Sequence, residues 1–414
     1  MGVELLEVGV LFASVAVIGA FAAKIRQSVI PFYILTGMVL GPFVAGRLTE
    51  EYLGRELAVG LSEEADHFIE LGAELGIVFL LFFLGLEFNL NRLIENRNRI
   101  GKAGTIDLGI NFGAGLLLGF VLFGDPVAAF ILAGMVYISS SAIITKALID
   151  KGWIANPESA PMLGTLVYED LFIAIYLAVL SALLIGGGDL TEAATGIGIA
   201  MVFILVLLLV VYFGTAFFAQ MVKNDSNEFR ILRVTGITVL IAGGALALGV
   251  SEAVAAFFVG MAFSSTEYVH DIEHLLEPVR DVFAAVFFFW IGLVTDPTLF
   301  TMSVIVLIAI AVIVTTPTKL VSGFWGGKVY GLDDRRATRV GLGMVTRGEF
   351  TLIISALVLV VFEQENGIIA ESIANDLIAF AVGYVLVMSI LGTMLMQYSG
   401  VFEKRVIARR GGGE

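Results

Sequence analysis

Apolar residues run in stretches of about twenty along most of this chain, broken by short polar punctuation. Runs of 18 or more apolar residues are long enough to cross a bilayer core of ~30 Å as helices. The pattern predicts thirteen spans, near 3–23, 29–46, 70–90, 103–123, 127–147, 161–185, 195–221, 231–250, 252–265, 281–295, 300–325, 338–362 and 377–400. The ninth and tenth are short for a full crossing. The fold class this predicts is an all-α polytopic membrane protein with thirteen transmembrane helices.

Thirteen divides as six, one and six. An odd linker span between two six-span halves makes the halves inverted relative to each other, a common transporter plan. That division places a first repeat at 1–194, a linker helix at 195–221 and a second repeat at 222–414. Two polar interruptions occupy corresponding spans. The fifth carries Tyr137-Ile138-Ser139-Ser140-Ser141 and the twelfth carries Thr346-Arg347-Gly348-Glu349. Such interruptions mark discontinuous helices, whose freed backbone groups must face a cavity or other protein.

Charge placement gives an orientation. Of 24 Lys and Arg residues, twenty fall on the side that is cytoplasmic if the N-terminus lies outside. Only Arg47 and Arg55 fall on the outer side, and Lys319 and Arg347 lie within spans. Basic residues accumulate on cytoplasmic loops, so this bias predicts an outer N-terminus and a cytoplasmic C-terminus. The first residues lack a positive leader region and read as the first span. Composition narrows the picture further. The chain is 58% hydrophobic, with mean hydropathy +0.96 and only 15% charged residues. A net charge of −14 argues against nucleic acid as a partner. There is no cysteine, so no disulfide framework is possible. No phosphate-cradling loop and no nucleophile constellation is present. The chain therefore reads as a non-enzyme without a cofactor.

The candidate chemistry lies where charge is most expensive. Glu169 and Asp170 stand side by side in the sixth span, and a carboxylate at mid-bilayer costs ~2.5–3.5 kcal/mol even on the lenient insertion scale. At 1.5 Å rise per residue, Asp170 lies roughly 13 Å from the inner end of its span, and Lys319 about 9 Å from the inner end of the eleventh. Arg347 and Ser140 fall in the same slab, whereas Asp107 in the fourth span reads as shallower. Lys319 is expected to pair with Glu169 or Asp170. Arg347 beside Glu349 can satisfy exposed carbonyls at a helix break and neutralise half-helix ends. A carboxylate in a cavity open to one side binds a proton or a dehydrated alkali cation, never both at once. That competition gives coupled exchange if the cavity opens alternately to each side. Ser139, Ser140, Ser141, Thr165 and freed carbonyls are candidate neutral oxygens for the cation.

Other features read as structural. His270 and His274 sit at i and i+4, a spacing that can hold zinc, but the segment 267–278 reads as an interfacial helix before the tenth span. Gly37 and Gly41 form a small-residue face for close helix packing. Gly186-Gly187-Gly188 reads as a flexible loop.

At these residues the sequence resembles the monovalent cation/proton antiporter superfamily, in the branch holding NapA, GerN and the Kef-type transporters. The matching stretches are Gly37-Met38-Val39-Leu40-Gly41-Pro42, Leu81-Phe82-Phe83-Leu84-Gly85-Leu86-Glu87, Ser139-Ser140-Ser141-Ala142, Glu169-Asp170, Phe287-Phe288-Phe289-Trp290-Ile291-Gly292-Leu293 and Thr346-Arg347-Gly348-Glu349-Phe350. The resemblance implies a core domain, about 103–185 and 300–400, holding two crossed, broken helices. It implies a dimerisation domain from the remaining spans, elevator-like movement and a homodimer. Asp170 falls on the family's ion-carrying aspartate, Glu169 on the variable position before it, and Lys319 on the helix whose basic residue pairs with that position. The Arg-Gly-Glu-Phe run favours K⁺ over Na⁺. Kef-type relatives continue into a cytoplasmic nucleotide-binding domain, so regulation of that kind would need a separate cytoplasmic subunit here. The resulting expectation is a secondary transporter exchanging K⁺ or Na⁺ for H⁺ at Asp170. The alternatives are an ion channel or a solute symporter on the same fold, and a non-transporting scaffold that would leave the buried charges without a purpose.

Overall fold

The computed structural model describes residues 2–25, 27–53, 58–60, 63–87, 90–150, 152–153, 156–185, 226–247, 252–264, 266–363 and 369–400, with scattered positions between 195 and 223. The predicted linker helix 195–221 falls largely outside the described residues, as do the triple glycine, Arg55 and the C-terminal basic residues from 401 onward.

Every regular element among the described residues is a helix. The first group of helices is α1 Gly2–Lys24, α2 Ile30–Leu40, α3 Arg47–Leu53, α4 Glu63–Glu87, α5 Leu90–Phe123, α6 Pro126–Tyr137, α7 Ser141–Asp150 and α8 Ser159–Ile185. The second is α9 Asn227–Ala247, α10 Glu252–Ser264, α11 Val269–Leu293, α12 Met302–Val329, α13 Asp334–Gly343, α14 Glu349–Glu363 and α15 Glu371–Gln397. Among the described residues, eight helices are long and apolar enough to cross a membrane, and three shorter apolar helices accompany them. This is a multi-pass membrane fold. Its outward faces are apolar, as at Leu5, Val17, Val121, Leu240 and Ile313, which suits lipid and not water.

Local chemistry sets several boundaries. Asp125 caps α6 by accepting from Val127 N and Ala128 N, with Pro126 at the first helical position. Asp333 caps α13 through Arg336 N. Two expectations shift. The apolar helix of α5 opens at Asn96 rather than 103, and Asp107 lies level with Lys319, 2.7 Å from it, instead of shallower. The interfacial segment 267–278 and the tenth span merge into one helix, α11, with Pro278 inside it. A proline there removes one backbone hydrogen bond. Ile272 and Leu276, both buried, hold the turn before it against the rest of the protein.

Two packing regions result. In the first, α2 lies on α11 and α4 lies on α10 and α11. Gly37 of α2 faces the Phe289 carbonyl of α11, and Gly292 of α11 faces the Ile34 carbonyl of α2. Gly85 of α4 and Gly260 of α10 meet the Phe257 and Phe82 carbonyls in the same reciprocal way. Lipid gives helices no hydrophobic reason to associate, so such backbone approach supplies the packing. In the second region, α5 packs on α6 and α12 on α13, with α8, α14 and α15 around them. That second region holds the charges.

Candidate ion-binding site

The fifth and twelfth predicted spans are each broken in two. α6 stops at Tyr137 and α7 starts at Ser141; α13 stops at Gly343 and α14 starts at Glu349. The breaks abut, with Ser140 N donating to the Thr346 carbonyl at 3.2 Å. Each helix end leaves backbone groups without intrahelical partners. The last carbonyls of α6 are taken by three side chains from the second half of the chain. Thr351 Oγ1 donates to Met135 O at 2.7 Å, Arg347 Nε to Val136 O at 2.8 Å, and Lys319 Nζ to Tyr137 O at 3.3 Å. Arg347 Nη1 also donates to the carbonyls of Met344, Val345 and Thr346. One guanidinium thus covers the negative ends of two half-helices. Glu349 does the converse at the positive ends. It begins α14 and accepts from Ser140 Oγ at 2.8 Å and from Ser141 Oγ, at the start of α7, at 3.3 Å.

Beside this crossing lies an ionic network. Lys319 Nζ is 2.7 Å from Glu169 Oε1 and 2.7 Å from Asp107 Oδ2. Glu169 accepts from Ser139 N at 2.7 Å, and Ser139 Oγ lies 3.1 Å from both Glu169 Oε1 and the Met344 carbonyl. Asp107 Oδ1 accepts from Ser322 Oγ at 2.6 Å and Asn111 Nδ2 at 2.9 Å. The Tyr137 ring stands 5.2 Å from the ammonium. Lys319 and Glu169 are fully buried, and Asp107 is 1% exposed.

The predicted residues therefore separate. Lys319 pairs with Glu169, and Asp107 joins as its second counter-ion rather than lying outside the group. Ser139 belongs to this network; Ser140, Ser141, Thr346, Arg347 and Glu349 belong to the breaks. Asp170 follows Glu169 on α8, so its side chain leaves the helix about 100° further round. It is buried but keeps 6% exposure. Thr165 is buried one turn before Glu169, on the side facing Gly326 of α12. The hydroxyls of Thr346 and Tyr137 are buried without a hydrogen-bond partner. His270 is exposed and bonds to Glu273 in the same helix. Among the described residues no cluster of three or more His, Cys, Asp or Glu is arranged to hold a metal ion.

Sequence reasoning missed Asn111, Ser322 and Thr351. The first two had a signal: Asn111 lies four residues after Asp107 and Ser322 three after Lys319, the spacings at which helical side chains meet. Thr351 had none, because its partner is a carbonyl 216 residues away.

The chain is similar to known proteins over nearly its whole length. Residues 10–397 match the family described as sodium/hydrogen exchanger, transmembrane. The K(+)/H(+) antiporter subunit KhtU of Bacillus subtilis is 36% identical over 95% of this chain and 93% of its own. The ammonium/H(+) antiporter subunit AmhT of Alkalihalophilus pseudofirmus is 28% identical over 96% and 93%. The sodium proton antiporter MjNhaP1 of Methanocaldococcus jannaschii superposes with a TM-score of 0.71 at 16% identity, covering 95% of this chain and 99% of that one. Two abutting helix breaks, a buried acid pair beside a lysine and this family match agree: the chain belongs to the sodium/hydrogen exchanger family of the monovalent cation/proton antiporter superfamily, and is a secondary cation/proton antiporter.

Proposed function

We propose that this protein exchanges a monovalent alkali cation, K⁺ before Na⁺, for H⁺ at Asp170 by alternating access. The observation that carries this reading is the split between two adjacent acids. Glu169 is sealed and its oxygens are taken by Lys319 and Ser139, whereas Asp170, the next residue, retains surface in the middle of a span. An acid that is buried yet reachable is what proton and cation need in order to compete. Thr346 Oγ1 and Tyr137 Oη, buried and unpartnered, are oxygens available to a cation stripped of water.

The finer architecture belongs to the same proposal. Thirteen spans in two inverted six-helix repeats fit the recurrence of a glycine-lined contact. α5 meets α6 through Gly115 and Gly119, and α12 meets α13 through Gly323 and Gly327. Asp107 and Lys319 occupy corresponding spans of the two halves. The region of α5–α8 and α12–α15 is the moving core. The panel of α2, α4, α10 and α11 belongs to a static, dimer-forming domain, and the N-terminus faces outward. KhtU is named a K(+)/H(+) antiporter subunit and AmhT an ammonium/H(+) one. These names support potassium as the first cation to test and a separate cytoplasmic subunit as partner.

The test is a pH dye trapped in proteoliposomes, challenged in turn with Li⁺, Na⁺, K⁺ and Rb⁺. The wild-type protein should move protons against an imposed cation gradient, and Asp170→Asn should not. Exchange at normal rate in Asp170→Asn would refute the assignment.

A further inference from the structure

We propose that the basic end of the α5–α12 pair is a headgroup site for an anionic phospholipid. The phosphate sits on Arg99 and Lys102 beside Trp325, and the bound lipid braces the two helices against each other. The site lies on the surface that the pair shows to the bilayer, and it holds whichever ion the protein carries.

The two helices run in opposite directions and in fixed register. Asp107 meets Lys319, Ala103 lies against Gly326, and the Arg99 guanidinium stands 5.9 Å from the Tyr330 ring. Away from this contact each helix keeps an exposed stripe. On α5 it runs through Thr105, Gly109 and Gly113, and both glycines open onto empty space. On α12 it runs through Ile313 and Val321 to Trp325, which is 55% exposed. Such outward faces on membrane-spanning helices meet acyl chains.

Both stripes end in polar groups at the same level. The α5 stripe reaches the exposed Lys102, with Arg99 one turn further; the α12 stripe reaches Trp325, with Lys328 one turn further. At 1.5 Å per residue, Arg99 and Lys328 lie roughly 12–14 Å along their helices from the Asp107–Lys319 level, close to half the ~30 Å hydrocarbon thickness. An exposed tryptophan closing an apolar stripe marks the headgroup boundary.

Charge at this boundary is unevenly spent. Lys328 is held by Asp334, Arg339 by Glu158, Arg230 by Asp271, and Arg280 by Glu277 and Asp281. Among the described residues, Arg97, Arg99 and Lys102 pair with no acid. Positive charge without a counter-ion therefore gathers at the end of α5, in a chain whose net charge is −14. Clustered Lys and Arg at the end of a span match the negative charge of anionic headgroups. Guanidinium and ammonium both bind phosphate oxygens, and long cationic side chains lay their stems along apolar surface while the head stays polar. A soluble anion would use the cations and ignore the stripes above them. A phospholipid uses both, its phosphate on Arg99 and Lys102 and its chains along α5 and α12.

The test is a thermal melt of delipidated protein in a neutral detergent. Dioleoylphosphatidylglycerol, dioleoylphosphatidylcholine or glycerol phosphate is added in excess. The expected result is a raised melting temperature with phosphatidylglycerol alone, shrinking as salt is raised. Arg99→Gln combined with Lys102→Gln should lose that rise and melt as the wild type does in phosphatidylcholine. Arg336→Gln, which removes an exposed charge on the neighbouring α13, should keep it. Equal melts in the two lipids overturn the proposal and leave the cations to water or to a protein partner. An equal rise with glycerol phosphate overturns it in favour of a soluble anion. A double variant that keeps the rise, or an Arg336→Gln protein that loses it, overturns the location. Should the double variant fail to fold, Lys102→Gln alone decides the location, by a smaller rise or an unchanged one.

Discussion

The panel of α2, α4, α10 and α11 and the core around α6, α12 and α14 solve the same problem in opposite ways. Both must hold helices together where water is absent. The panel does it with backbone contact, as glycines of one helix sit on carbonyls of the next and phenylalanines such as Phe82, Phe257 and Phe289 fill the remainder. The core does it with charge and with side chains spent on broken backbone, as Arg347, Thr351 and Lys319 do at the end of α6. The panel brings backbones together at Gly37, Gly85, Gly260 and Gly292. The core carries polar groups whose burial is costly unless every one is matched. Close backbone packing needs no such expense, whereas the proposed ion site does. The comparison teaches that the proposed ion site coincides with the region that gives up regular helix.

Breaking the two regions should therefore differ in kind. Asp170→Asn should give the largest functional loss, with cation-driven proton movement falling to the empty-liposome level and the thermal melt of the purified protein little changed. Lys319→Ala should be the largest loss of stability. It leaves Asp107 and Glu169 buried without their shared cation, which for a buried pair costs about 3–5 kcal/mol. A strongly lowered melting temperature in detergent is the expected outcome, and an unchanged one would remove Lys319 from the network. Gly85→Leu attacks the panel instead. A side chain there meets the Phe257 carbonyl of α10, and overpacking of this kind costs about 1–3 kcal/mol. Its signature should be a lower melt and a lower yield of folded protein, with an unaltered cation preference in what folds. Thr351→Val leaves the Met135 carbonyl without its donor, at about 1–3 kcal/mol, and should weaken the core without abolishing exchange.

The smallest effect is expected outside both regions. Asp296, in the turn before α12, is partly buried, which by itself would raise its pKa. The Thr298 backbone N–H and the Arg47 guanidinium at 2.9 Å outweigh this and hold it below the usual carboxylate range. A depressed folded-state value means the stabilisation is complete above the ordinary range near 3.9 and is lost as pH falls through the lower value. Arg47 is more than half exposed, so the pair contributes only about 0–1 kcal/mol. Thermal melts of wild type and Asp296→Asn should differ slightly at pH 7 and converge on acidification.

Much of this was legible in the chain. Long apolar runs mark membrane helices because lipid tolerates nothing else, and Tyr137–Ser141 and Thr346–Glu349 mark breaks because polar residues there need a purpose. The Glu169–Asp170 pair and Lys319 announced themselves by cost. What misled was depth by counting: Asp107 looked peripheral because the start of its span was set by hydropathy, and α5 begins earlier. The segment 267–278 read as an interfacial helix separate from the tenth span, yet α11 runs through both, past Pro278, with Ile272 and Leu276 buried before it.

The sequence by itself determined that the chain lies in a membrane as a bundle of apolar helices and which residues bear charge among them, because these follow from local composition and transfer free energy. Only the tertiary structure decided who pairs with whom. Lys319 reaches two acids on separate helices, 212 and 150 residues away, and leaves the neighbouring Asp170 to a different face. A hydrophobic pattern sets burial and depth but holds no information on the rotation of one helix against another, and it is that rotation which assigns each buried charge its partner.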